Sequence, residues 1–534
     1  MEQQKSEDFV QNSYILIVGY LISSIISTLG TIVMIRLISV EEYSLVTIAY
    51  IFPAILIPFG ELGLNYASTN FIAKKLKEND HSGIRNIIKL NLIIKAIIGL
   101  IFTLSIAFFS VYIAKYIYNV NDERIYILIQ ISSIAIFSSL LYEALTACFL
   151  GAQKVRYVQI GTILYVTLRA SISILLILLG FSLLGPILGI VLSASILMII
   201  YLILYKISFK KEMGETNQIE WKELKEMIKY GHPLILFSII AGIQCQIFLL
   251  ILSLNGYSIQ VSFYNIAVIS AAIISIITKS LSYTLFPIFS KFSWDKEKER
   301  QILINYYQFS IKYGTFLVIP VTIFVILFSN IIVPILFGAV YKDASIFVSI
   351  YFFIFLTTSF GLLSIPAFFN GQNQTQIALY FEIIFFSTGV ISALVLVMYI
   401  GSIGVVVGFV IGHIFAVLYG NIMIWKKFGT KFFGNLKNVI AIFIIAVLTG
   451  ILVYLAYTVF LMYFPIRGYV FHISLLVISF TIYFVLFLIL TAFFSLVSES
   501  EINLLISSFE KFPILNKVFK ILARIEKKII KLRK

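Results

Sequence analysis

Apolar runs of about 20 residues or more recur along the whole chain, separated by short polar loops; each such run is long enough to cross roughly 30 Å of hydrocarbon as a helix. Fourteen spans are predicted, at 13–35, 43–70, 90–113, 125–150, 158–180, 184–205, 230–254, 262–290, 304–337, 346–370, 376–399, 402–425, 439–462 and 468–497. The runs are continuous rather than alternating, which excludes a transmembrane barrel. Pro53, Pro58, Pro287, Pro320 and Pro366 fall inside spans, where neighbouring helices can satisfy the freed backbone groups, so they mark bends rather than ends. The fold expected is an all-α polytopic membrane protein.

Composition agrees. Hydrophobic residues make up 60% of the chain and charged residues 12%, about half the charge of a soluble domain. Cys148 and Cys245 both sit in apolar spans and offer neither a disulfide framework nor metal spacing. The polar, net-acidic opening MEQQKSEDFVQN is followed by an apolar run too long for a signal core, so it is expected to remain as the first span.

Charge asymmetry sets the expected orientation. With the amino terminus inside, 31 of the 40 lysines and arginines fall in cytoplasmic segments and 5 in outer loops. This bias predicts cytoplasmic termini. It also accounts for the net charge of +15 without nucleic acid.

Two halves of the chain resemble each other. Glu61 lies opposite Lys279, 218 residues on, and Lys95 opposite Lys312, 217 on. Gly151 in FLGAQKVRYVQI matches Gly371 in FFNGQNQTQIAL at 220, and Gly185 and Gly189 match Gly404 and Gly408 at 219. Six spans separate the copies, an even number, so both copies have the same orientation about an axis along the membrane normal. The expected organisation is a cytoplasmic amino terminus (1–12), an N-lobe of six spans (13–205), a cytoplasmic linker (206–229) holding WKELKEMIKY as a surface helix, a C-lobe of six spans (230–425), two further spans (439–497) and a tail (498–534). The small-xxx-small glycine pairs are read as packing positions within each lobe.

Seven charges lie inside spans: Glu61, Lys95, Glu143, Arg169, Lys279, Lys312 and Glu382. Each costs on the order of 3 kcal/mol at a helix centre and calls for a reason. Arg169 counts to the midplane, and the other six to the lysine-rich half. Lys95, Lys312 and Glu382 are near enough to helix ends to snorkel; the rest line a cavity or pair between helices. His232 and His413 read as core or interface residues.

The run RLISVEEYSLV followed by FGELGLNYAS resembles the start of the polysaccharide flippases of the multidrug/oligosaccharidyl-lipid/polysaccharide exporter superfamily. Arg36, Leu37, Glu42, Tyr43, Glu61, Leu62, Gly63 and Leu64 match the pattern, and Ser44 stands where the family has glycine. The resemblance implies two six-helix bundles plus two helices, and a flippase that carries a lipid-linked oligosaccharide of polyprenyl-phosphate type from inner to outer leaflet by alternating access. Arg169, Lys279, Lys95, Lys312, Glu143 and Arg36 are the substrate-site candidates, because cations attract the phosphates of such a head. By family analogy spans two and eight face each other, which makes Glu61 and Lys279 a candidate gate pair.

Two other functions compete: an organic-cation antiporter of the same superfamily, and a membrane glycosyltransferase or ligase. The outer loops are too short for the second, and no phosphate-binding glycine loop with lysine occurs. No enzyme activity, metal or cofactor is expected; the coupling ion, sodium or proton, stays open. From Leu515 the tail alternates apolar and basic faces at helical spacing, which predicts a surface helix on anionic inner-leaflet lipid. Docking of a cytoplasmic glycosyltransferase is its less favoured role. A monomer is expected.

Overall fold

The computed structural model describes residues 2–120, 122–209, 220–294, 296–429, 436–464, 468–494 and 496. The chain forms α1 (Glu2–Leu37), α2 (Val40–Glu61), α3 (Leu64–Lys77), α4 (His81–Tyr112), α5 (Glu123–Gly151), α6 (Val155–Leu176), α7 (Leu184–Ser208) and α8 (Trp221–Leu254). It continues as α9 (Ser258–Lys291), α10 (Glu297–Phe337), α11 (Ala344–Leu356), α12 (Ser364–Gly371), α13 (Thr375–Ile400), α14 (Ser402–Phe428), α15 (Leu436–Tyr463) and α16 (Tyr469–Phe493). Among the described residues 12 helices are individually long and apolar enough to cross a membrane, and 13 if the pair Ala344–Phe360 and Ser364–Gly371, bent by 49°, counts as one span. Among the described residues, each of the fourteen predicted spans overlaps one or two of these helices. The tail 498–534 and the middle of the linker, 210–219, lie outside the described residues.

Two compact units result. The first holds Met1–Ile276 and Glu382–Gly412, the second Ile277–Phe381 and His413–Lys534. In the first, α6 packs between α1 and α7, α5 against α4, α7 and α2, and α8 against α2 and α3. Its enclosed core joins Leu64, Ile84, Ile87, Phe149, Tyr201 and Met227. In the second, α10 packs on α11 and α15, with Phe316, Ile319, Ala446 and Phe487 buried together. Outward faces are apolar: Phe108 is 81% exposed and Met398 83%, as expected where acyl chains replace water.

The repeat is visible in local geometry. After α5 the turn Gly151-Ala152-Gln153-Lys154 puts Gln153 at φ 59°, and after α12 Gly371-Gln372-Asn373-Gln374 puts Asn373 at φ 57°. Lys154 N–H donates to Phe149 O at 2.8 Å, and Gln374 N–H to Phe369 O at 2.8 Å, closing equivalent helix ends. Gly151 lies against α3, where a Cβ would come within 2.7 Å of Thr69 O; Gly371 lies against α9, where a Cβ would come within 2.7 Å of Phe289 Cβ. Gly185 and Gly189 face α6, and Gly404 and Gly408 face α13, each side chain-free so that backbones approach.

Two features depart from the sequence expectation. Span two is one apolar run, yet it breaks after Glu61: Leu62 and Gly63 take φ of 48° and 66°, and α3 starts at Leu64. The predicted surface helix WKELKEMIKY is continuous with span seven as α8. Met227 explains the continuity, because it is fully enclosed by the core of the first unit and holds the helix from its first turns. The motif acid Glu42 turns out to cap α2. Glu42 N–H donates to Ser39 Oγ at 3.2 Å and Ser39 N–H donates back to Glu42 Oε2 at 2.9 Å, a capping box. Glu42 also accepts from Ser182 Oγ, tying the α1–α2 turn to the segment before α7.

Candidate functional site

Three interior charges of the first unit, Glu61, Lys95 and Glu143, gather around the break in span two. Glu61 is the last residue of α2, and Asn65 stands in the first turn of α3. Lys95 on α4 is fully enclosed, and its Nζ donates to Asn65 Oδ1 at 2.7 Å. Glu143 on α5 is half-buried, with its carboxyl beside that of Glu61 and within electrostatic reach of the Lys95 ammonium. Burying an unpaired ammonium is costly, so the two acids and Asn65 together explain how Lys95 is retained without water. Asn91, one turn before Lys95, is also enclosed, and its amide faces the Cys148 thiol.

A second polar group lies further along the same helices. Arg169 on α6 is half-buried and acts electrostatically on the hydroxyls of Tyr43 and Tyr50, both on α2. Tyr43 Oη accepts from Asn265 Nδ2 at 2.8 Å. The rings of Tyr142 and Tyr165 lie 5.6 Å apart, and Tyr50 interacts with Tyr165 and with Glu143. Tyrosines thus connect the Glu61–Lys95–Glu143 cluster to Arg169. Among the described residues, no carboxylate oxygen lies within 4.0 Å of the Arg169 guanidinium. Lys95 has its charge partners inside the fold; among the described residues Arg169 is bordered by phenols.

The other predicted residues are dispersed. Arg36 is exposed in the last turn of α1. Lys312 is 5% exposed on α10, in the second unit. Glu382 on α13 accepts from Gln244 Nε2 on α8 at 2.8 Å. Lys279 lies on α9, and its side chain is outside the described residues, so the predicted gate pair with Glu61 falls outside them too. The sequence singles out neither Asn65, nor Gln244, nor Tyr50, Tyr142 and Tyr165, and names Tyr43 only as part of the family pattern. Asn65 had a signal, since it follows the acid-Leu-Gly-Leu motif directly; the other three tyrosines had none, being 3 of 31 in the chain.

The polysaccharide biosynthesis protein family matches residues 33–346. No curated protein matches the chain in sequence. Among solved structures, the lipid II flippase MurJ in an inward closed conformation is 16% identical, with a TM-score of 0.68 over 89% of this chain and 98% of that one. A multidrug resistance transporter of the multidrug/oligosaccharidyl-lipid/polysaccharide superfamily, inward-facing, is 17% identical, with a TM-score of 0.62 over 78% of this chain and 98% of that one. A transporter of the same superfamily from Pyrococcus furiosus is 18% identical, with a TM-score of 0.53 over 79% and 96%. These similarities establish the fold of that superfamily's membrane transporters. With the family match spanning more than half its length, this chain belongs to the polysaccharide biosynthesis protein family.

Proposed function

We propose that the protein is a flippase that moves a lipid-linked oligosaccharide, of polyprenyl-phosphate type, from the inner to the outer leaflet by alternating access of its two repeated halves. One observation carries the reading: Arg169 is a midspan guanidinium with no carboxylate partner among the described residues, bordered by tyrosine hydroxyls. A planar guanidinium in that setting suits a phosphate oxygen bidentately, and phenols suit sugar hydroxyls. The family match and the lysine-rich loops, read as cytoplasmic, support entry of the head from the inner side.

The competing reading is export of organic cations. The carboxyls of Glu61 and Glu143 favour it, but Lys95 beside them offsets the attraction for a positive cargo. Reconstitution separates the two. Proteoliposomes carrying a fluorescent polyprenyl-diphosphate oligosaccharide are expected to flip it with the purified protein present, and Arg169→Ala is expected to slow flipping by about tenfold or more. Accumulation of ethidium with no glycan translocation would establish the other reading.

A further inference from the structure

The first turns of α8 lie on the turn between α3 and α4 by a single face. Glu223, Leu224, Met227 and Gly231 are the enclosed or half-buried positions, spaced as one side of a helix, while the residues between them are exposed. Asn86 clasps the start of this segment. Its Nδ2 donates to Glu223 Oε2 at 2.6 Å and to Glu220 O at 3.3 Å, and its Oδ1 accepts from Glu220 N–H at 3.2 Å. Lys75 Nζ reaches Asp80 at 2.6 Å and Glu223 at 3.6 Å. A polar cavity of about 100 Å³ remains between the two elements, lined by both acids and bases, among them Lys75, Arg85, Lys89, Glu220 and Glu223.

The face is fixed along its length. Met227 fills the core of the first unit beside Ile84 and Ile87. The rings of Phe71 and Tyr230 meet edge-on at 5.8 Å. Gly231 then meets Gly63 backbone to backbone: a Cβ on Gly63 would come within 2.5 Å of Gly231 O, and one on Gly231 within 2.8 Å of Gly63 O. Two residues later Pro233 has no N–H to give to the Lys229 carbonyl, so α8 loses a helical bond just past the docked stretch.

We infer that Glu220–Gly231 is a docked foot, which stays clasped to α3 and α4 throughout the conformational cycle, so that any movement of span seven starts beyond Gly231. An enclosed methionine, a glycine-on-glycine crossing and a three-bond amide clasp on one face are the marks of a fixed contact, since each must be lost together for the foot to lift. The inference rests on the transport reading for the existence of a cycle, but its test does not depend on transport.

The test uses the full chain in membranes, with Cys148→Ala and Cys245→Ala, and a membrane-impermeant maleimide given access to both faces. Met227→Cys is expected to stay unlabelled with and without a polyprenyl-diphosphate oligosaccharide, while Lys229→Cys, on the exposed side, is labelled an order of magnitude faster. Labelling of the Met227→Cys thiol in either condition overturns the foot. Should that variant fail to fold, Phe71→Cys with Tyr230→Cys provides a second reading: complete crosslinking by a short bifunctional thiol reagent in both conditions supports the foot, and crosslinking that falls on substrate addition overturns it. A clasp variant checks the assignment of Asn86. Asn86→Asp sets two carboxylates together and is expected to expose the Met227→Cys thiol; adding Glu223→Gln restores a donor and is expected to protect it again. Protection with no glycan flipping under any condition would count against the flippase reading and for the foot.

Discussion

Lys95 Nζ and Asn65 Oδ1 are 2.7 Å apart, and the lysine has no access to solvent. Asn65 reaches this position only because the chain turns at Leu62 and Gly63, both in the left-handed region. A helix break and a buried charge are therefore parts of one arrangement.

Removing the ammonium should hurt more than removing the whole cluster. Lys95→Met leaves Glu61 and Glu143 facing each other without compensation, a loss expected near 3 kcal/mol. Adding Glu143→Gln should recover about half of it, since contacting residues are not additive. Thermal unfolding of the single and double variants in detergent measures the coupling, and strict additivity would refute the cluster.

Arg169→Ala should lower glycan flipping by about tenfold or more, equivalent to at least 1.4 kcal/mol of lost transition-state binding. Its unfolding midpoint should stay close to the parent's, because no carboxylate among the described residues is orphaned when the guanidinium goes. Arg169→Lys should recover part of the rate only, for lack of the planar fork. Flipping assays beside melting curves separate binding from folding.

Two glycines test strain against collision. Gly180 has φ 92° and open space around its Cβ direction, so Gly180→Ala should cost about 1–2 kcal/mol from the backbone alone. Gly63 has φ 66° and Gly231 O at 2.5 Å from the added carbon. Gly63→Ala should cost about 2 kcal/mol more than that. Equal losses in the two variants would show that the α2–α8 crossing is loose.

Asp80 gives a pH signature outside the spans. The Lys75 ammonium, the Gly83 N–H and the Ser82 hydroxyl hold its carboxyl well below the ordinary aspartate range. A depressed folded value means that the carboxylate stabilises the fold above the unfolded value, about 3.9, and that this stability drains away as pH falls through the folded one. The stability difference between the parent chain and Asp80→Asn should be constant above about pH 5 and shrink below pH 4. Urea unfolding across that range checks it.

Much of the fold could be read in the apolar runs, because in hydrocarbon every backbone group must be satisfied within a helix. The repeat was legible in Gly151 and Gly371, since such contacts tolerate no side chain. Burial of Lys95 was harder to foresee: its place near a helix end equally allowed snorkelling, and only the break at Leu62–Gly63 brings Asn65 to it. Local pattern missed that break because Leu62 is a good helix former. The reach of α8 past its expected start was hidden as well, since Met227 looks like one more residue of a surface helix until its burial is known.

The four interior charges on α2, α4, α5 and α6, Glu61, Lys95, Glu143 and Arg169, sum to zero in their ionised forms. Moving one elementary charge across the membrane potential involves about 2.3 kcal/mol per 100 mV. Displacing this group as a body therefore does no net electrical work. On the flippase reading, any voltage dependence of transport would be a property of the anionic cargo and of whatever ion accompanies it, not of this set of side chains.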